Sequence, residues 1–265
     1  MRFWSGPFAI LWRHRQLLAQ TTRHDLRARY AGSLLGLAWL VVYPILFLGA
    51  YAFIYLFVFK VRFDLFNSNE YVALIFCGLI PFLGFVEALG TGVGSVTSNA
   101  NLVKNTLFPI ELASVKTVLT SQGTQVVGTG MLLGVLLVLD KLTLWSLMLP
   151  LIWFLQLIFA IGWVWILSSL NVYMRDLQYG VSVMTLILMM VSPIAYTVDM
   201  VPPALRVLLG LNPLYYIITA YQDCLMLGRF PPGANFGVLM AMSLVSFCGG
   251  YWFFVRMKTV FVDNV

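Results

Sequence analysis

Hydrophobic positions in this chain come in long unbroken runs, not at the alternating or three-to-four-residue spacing of half-buried elements. The first run, Leu34 to Phe59, holds 26 consecutive residues without a charge. About 20 such residues cross the roughly 30 Å hydrocarbon layer of a bilayer, and a helix of this run reaches roughly 39 Å. Further runs predict spans from about Tyr71, from Leu112 to Leu139, from Thr143 to Leu170, from Leu177 to Tyr196 and from Asn235 to Val255. Pro81 and Gly84 are expected to interrupt the second. Between Asp199 and Arg229 an apolar segment is broken by Pro202, Pro203, Gly210, Asn212 and Pro213. Its halves, about Pro203–Leu209 and Leu214–Leu227, are each too short to cross alone. Two short re-entrant or outer helices are expected there, because irregular backbone at membrane depth must be buried in protein or line a cavity. One kinked full span is the alternative. The pattern predicts an all-α integral membrane protein with six transmembrane helices in a single domain, residues 1–265.

Composition agrees. The chain is 61% hydrophobic and 10% charged, against about 25% charged in soluble domains, and its mean hydropathy is +0.91. The net charge of +6 is not a nucleic-acid signal. Six of the sixteen basic residues (Arg2, Arg13, Arg15, Arg23, Arg27 and Arg29) fall in the first 29 positions, as in a cytoplasmic flank. Residues 1–31 mix these arginines with Phe3, Trp4, Phe8 and Trp12. An amphipathic helix lying in the membrane interface fits this mixture; a plain positive flank is the alternative. No cleavage site follows a short apolar core, so the first span is expected to stay as its own insertion signal. With six spans and both termini inside, the inner side carries eleven Lys/Arg and the outer side five (Lys60, Arg62, Lys141, Arg206 and Arg229). Seven spans would give nine against seven, so charge favours six.

Several residues stand out chemically. Trp39, Tyr43, Phe47, Tyr51 and Tyr55 recur every four residues along the first span. Their ridge turns about 40° per step on a 3.6-residue helix, so all five cannot face one channel. Glu87 is the one ionisable residue of the second span. An intramembrane acid is a functional candidate; the alternative is that it lies near the inner end and pairs with backbone or a basic residue. Gly32 and Gly36 have the spacing of a close helix contact. His14 and His24 lack a partner cluster, and Cys77, Cys224 and Cys248 are scattered, so neither a metal site nor a disulfide framework is expected. No glycine directly precedes a lysine, so the chain has no phosphate-binding GxxxxGK[ST] loop. Gly92-Val93-Gly94 follows a membrane span and not a strand, which discounts a dinucleotide site.

Four stretches resemble the membrane subunits of ATP-binding-cassette exporters that move lipid-linked polysaccharides such as O-antigen, capsule and wall teichoic acid. They are RHDLRARYAGSLLGLAWLVVYPIL (Arg23 to Leu46), NANLVKNTLFPIELA (Asn99 to Ala113), NVYMRDLQY (Asn171 to Tyr179) and the stretch from Val191 to Gly228, with its SPIAY, PP and NPL. The family has arginine where this chain has Gln222, and often Arg or Lys where it has His24. The resemblance implies a homodimer in a bacterial inner (cytoplasmic) membrane, both termini cytoplasmic, with two copies of a separate ATPase that binds ATP and Mg. This chain itself would hold no cofactor and bind no nucleic acid. It implies that residues 97–108 form a coupling helix on that ATPase, with Asn101, Leu102, Lys104, Asn105, Phe108 and Glu111 in or near the contact. It implies outer gate helices over residues 203–227, with Pro202, Pro203, Asn212 and Pro213 at their ends. The aromatic ridge would then line a path for an undecaprenyl-type lipid-linked glycan, since sugar C–H faces stack on aromatic rings. Arg27 and Arg29 would be candidates for the lipid diphosphate, with topology anchoring as the alternative. The same architecture with a drug or glycolipid cargo is the rival function; a membrane-embedded glycosyl- or acyltransferase is less well supported.

Overall fold

A computed structural model describes residues 6–58, 67–99, 109–196, 201–258 and 261. Helices α1 (Gly6–Arg13) and α2 (Arg15–Arg29) precede a 3-10 turn, Gly36–Ala38, that leads into α3 (Trp39–Ala52) and a final π-helical turn, Phe53–Val58. Then come α4 (Ser68–Gly92), α5 (Glu111–Val138), α6 (Leu149–Asn171, after a 3-10 turn at Leu144–Met148), α7 (Leu177–Val191), α8 (Pro203–Gly210), α9 (Pro213–Leu225) and α10 (Gly233–Met257). Among the described residues there is no strand. The protein is all-α, and Gly36–Val58, Ser68–Gly92, Glu111–Val138, Leu144–Asn171 and Gly233–Met257 are long and apolar enough to cross a membrane.

α7 is shorter than expected, 15 residues ending at Val191 and not at Tyr196. Ser192 takes an extended ψ of 141°, as the residue before a proline does, and Pro193 cannot continue the ladder. α7 still runs between the two ends of the bundle. Its start lies beside Gly94 and Asn171, while just past its end Ser192 meets Asn212 and Ala195 meets Tyr71.

Two glycine and proline expectations are corrected. Pro81 and Gly84 do not interrupt the second span: α4 continues through both. The Pro81 carbonyl accepts a 2.9 Å hydrogen bond from Gln156 Nε2, and the space a Cβ would take at Gly84 is filled by the Gln125 amide. Among the described residues Gly32 and Gly36 make no close helix contact. They take φ of +79° and +51° with no atom within 4 Å of a would-be Cβ, so glycine serves the left-handed turn between α2 and α3.

The expected break after the fifth span is present. Asn212 caps α9 by accepting from Leu214 N at 2.9 Å, and Pro213 occupies the first turn, an arrangement favoured because proline needs no donor there. α4 is the centre of the bundle, buried along most of its length. The most extensive helix contact is α6 on α10; a Cβ on Gly162 would lie 2.3 Å from the Ser246 backbone, and one on Gly250 the same from Gly162 O. Small residues permit this approach where lipid supplies no hydrophobic drive.

Ion pairs mark the two ends. Glu70 and Lys141 (2.9 Å) and Asp223 and Arg229 (2.7 Å) lie at one. Asp25 and Lys116 (2.8 Å), Glu111 and Lys258 (2.7 Å), and Arg29 and Glu87 lie at the other.

Candidate functional site

α2 ends at Arg29, its last arginine, and the chain turns through Tyr30 to Gly36 before α3 begins at Trp39. This turn brings charge and aromatic rings together against the buried bundle. Arg29 Nη1 donates to Glu87 Oε1 on α4, across 58 positions of sequence. Thr124 on α5 lines the same cavity as the pair. Glu87 is therefore not alone: it is the near-buried half of an ion pair whose arginine is one-third exposed. Of the two sequence readings, pairing with a basic residue near the end of the bundle describes its surroundings.

Around the pair lies a cavity of about 290 Å³ lined by Arg29, Tyr30, Trp39, Tyr43, Leu83, Val86, Glu87 and Thr124. Trp39 and Tyr43 stand one turn apart on α3, 38% and 41% exposed. The Trp39 indole N–H donates to Ser33 Oγ at 3.1 Å, and Gly36 N donates to the same oxygen. The ring is thus held by the turn that precedes it. The Tyr43 ring leans on Phe47 at 4.9 Å between centroids. Phe47 itself packs on the core.

The outer part of the ridge belongs to a different space. Tyr51 and Tyr55 stack in parallel at 6.1 Å and line a cavity of about 650 Å³ with α7 and Tyr196. The five aromatics therefore separate into Trp39 and Tyr43 at one end, Tyr51 and Tyr55 toward the other, and Phe47 between them. A third hollow, about 560 Å³, follows α2 past Gln20, Arg23, His24, Arg27 and Ala28. Arg27 opens onto this cationic surface, whereas Arg29 is engaged by Glu87.

Of the residues expected at a coupling contact, Asn101, Leu102, Lys104, Asn105 and Phe108 lie outside the described residues. Glu111 is buried; its Oε1 accepts from Lys258 Nζ and its backbone carbonyl from the Trp165 indole. At the other end Pro202 is exposed and Pro203 opens α8. Asn212, 5% exposed, also donates to Ser192 Oγ at 2.9 Å and so ties α9 to the end of α7. Gln222 donates to Pro193 O at 2.9 Å, a second tie to the same turn. Among the described residues no three His, Cys, Asp or Glu side chains gather as a metal site would require.

Sequence reasoning did not single out the polar knot in the bundle centre. The Gln125 and Gln156 amides bond each other, Gln125 also donates to Tyr221 Oη at 3.1 Å, and Trp153 donates to Gln122 at 3.0 Å. Glutamines within apolar runs were the available signal. The cavity beside Arg29 offers donors, acceptors and ring faces to a ligand.

The sequence matches the family described as ABC-2 type transporter over residues 15–226. It is 26% identical over 258 residues to the O-antigen export system permease protein RfbA of Myxococcus xanthus, covering 96% of this chain and 97% of that protein. Two O-antigen export system permease proteins RfbA of Klebsiella pneumoniae are 32% and 28% identical, each over 80% of this chain and 81% of their own length.

Proposed function

This chain belongs to the ABC-2 type transporter family, and from that premise we propose that it is the membrane-spanning permease subunit of an ATP-driven exporter of a lipid-linked, O-antigen-type polysaccharide. The near full-length likeness to O-antigen export permeases carries the reading. ATP hydrolysis falls to a separate nucleotide-binding subunit, in keeping with a chain that has no GxxxxGK[ST] loop. The working unit is a homodimer with two such ATPases in a bacterial inner membrane.

Both termini face the cytoplasm. In support, the end of the bundle carrying α2 holds Arg23, Arg27, Arg29, Lys116, Arg175, Arg256 and Lys258, and such an excess marks the inner side. Residues 97–108 form the coupling contact, with Asn101, Leu102, Lys104, Asn105 and Phe108 against the ATPase. Glu111, clasped by Lys258, anchors the start of α5 behind it. At the outer end α8 and α9, with Pro202, Pro203, Asn212 and Pro213, act as the gate.

The glycan path runs along the aromatic ridge. Stacking tolerates many sugars because it needs no particular hydrogen bond, which suits a long cargo. The exposed cationic face at Arg23 and Arg27 receives the diphosphate of the lipid carrier, since guanidinium groups bind phosphate bidentately. Deleting the gene in its native host should abolish surface polysaccharide and leave lipid-linked glycan on the inner leaflet, with recovery from a plasmid copy. Unchanged surface polysaccharide would overturn the assignment.

A further inference from the structure

We infer that the cavity between α2, α3 and α4 is a monosaccharide-recognition subsite for an uncharged pyranose ring, with the Arg29–Glu87 pair reading its hydroxyls. The choice of a sugar rests on the exporter function proposed above; the exclusion of other ligands rests on the site. Its charge is balanced, because Arg29 is neutralised by Glu87. A phosphate or diphosphate would have to displace that carboxylate, while Arg23 and Arg27 stand on a separate surface without one. A cation would meet Arg29. An acyl chain would leave the pair's remaining hydrogen-bonding capacity unmatched at a cost.

That capacity is substantial. A guanidinium has five N–H donors and a carboxylate about four acceptor sites; the contact between them uses Nη1 and Oε1. Donors beside acceptors are what neighbouring sugar hydroxyls require, since each hydroxyl both gives and accepts. The rings complete the match. Trp39 has its N–H held by Ser33, so its exposed face is oriented before a ligand arrives, and Tyr43 continues the platform one turn along. A volume of about 290 Å³ lies at the low end for small-ligand sites, suited to one ring and not to a stretch of chain.

The test uses the full-length subunit purified with its ATPase and saturation-transfer NMR with N-acetylglucosamine, galactose and mannose, each challenged with inorganic pyrophosphate. Transfer to the ring protons of at least one sugar is expected, unaffected by pyrophosphate. It should be lost in Trp39→Ala, kept in Trp39→Phe, and weakened roughly tenfold in Glu87→Gln through loss of a charged acceptor. The double variant Arg29→Glu with Glu87→Arg restores an ion pair but exchanges donor and acceptor positions. It should assemble normally and fail to bind, whereas a purely structural pair would be rescued in every respect. Absence of transfer from all three sugars, transfer that survives Trp39→Ala or the charge exchange, or displacement by pyrophosphate would each overturn the subsite. Wild-type cells that export while no sugar binds would remove this inference alone. Sugar binding by a protein whose deletion leaves export intact would remove the exporter assignment instead.

Discussion

The most apolar 18-residue stretches of the first and second spans are almost equally apolar, with mean hydropathies of 2.2 and 2.3, yet 6% of one and 83% of the other is buried within the chain. α4 is surrounded by α3, α5, α6, α7 and α9. The first span turns only one face inward, through Leu40, Pro44, Phe47, Leu48, Tyr51 and Tyr55, and leaves Ile45, Leu46, Phe53 and Phe57 exposed. Hydropathy therefore reports passage through a membrane and says nothing of what a helix touches. The two spans also divide the work. α4 supplies the scaffold and one carboxylate, whereas the first span supplies Trp39 and Tyr43 to one aromatic cavity and Tyr51 and Tyr55 to the other.

Substitutions matched between these spans should expose the difference. Phe82, 1% exposed in α4, packs in the core, and Phe82→Ala should destabilise by about 3–5 kcal/mol through cavity formation, read as a fall in the unfolding midpoint in detergent. A loss below about 1 kcal/mol would deny α4 its central place. Next comes the knot that α4 shares with its neighbours. Gln156→Leu strands Pro81 O and the Gln125 amide and should cost about 1–3 kcal/mol. A neutral result would mean that water or a rearranged Gln125 meets both groups.

Lys116→Met removes the partner that ties Asp25 on α2 to α5. About 1 kcal/mol is expected, appearing as faster amide exchange confined to α2. Uniform exchange across the bundle would contradict a local tether. Smallest is Phe57→Ala, at a residue 68% exposed on the first span. It should shift subunit stability by less than about 0.5 kcal/mol; a core-sized loss would show that this face is packed in the folded subunit.

What could be read from the sequence was local. Runs of uncharged residues place the long helices, and the Asn212-Pro213 pair marks the start of α9 because cap and proline act within one turn. Pro193 carries an equally local stop signal, which the apolar run past it conceals, so α7 reads five residues too long. Pro81 and Gly84 mislead for the opposite reason: their local penalties are offset by Gln156 and Gln125, which arrive from other helices. The site is legible in parts. The ridge, Glu87 and Arg29 each stand out as residues, but the contact between the last two joins positions 58 apart, and Glu111 meets Lys258 across 147. No spacing rule reaches that far.

This chain works as the permease of an ATP-driven exporter. The most direct measurement is affinity purification of the tagged subunit from its native membrane in mild detergent, followed by identification of the co-eluting proteins and assay of ATP turnover. A nucleotide-binding ATPase in equal amount is expected, with turnover by the complex and none by this subunit alone. A homogeneous subunit with no ATPase bound, from cells that express both, would contradict it.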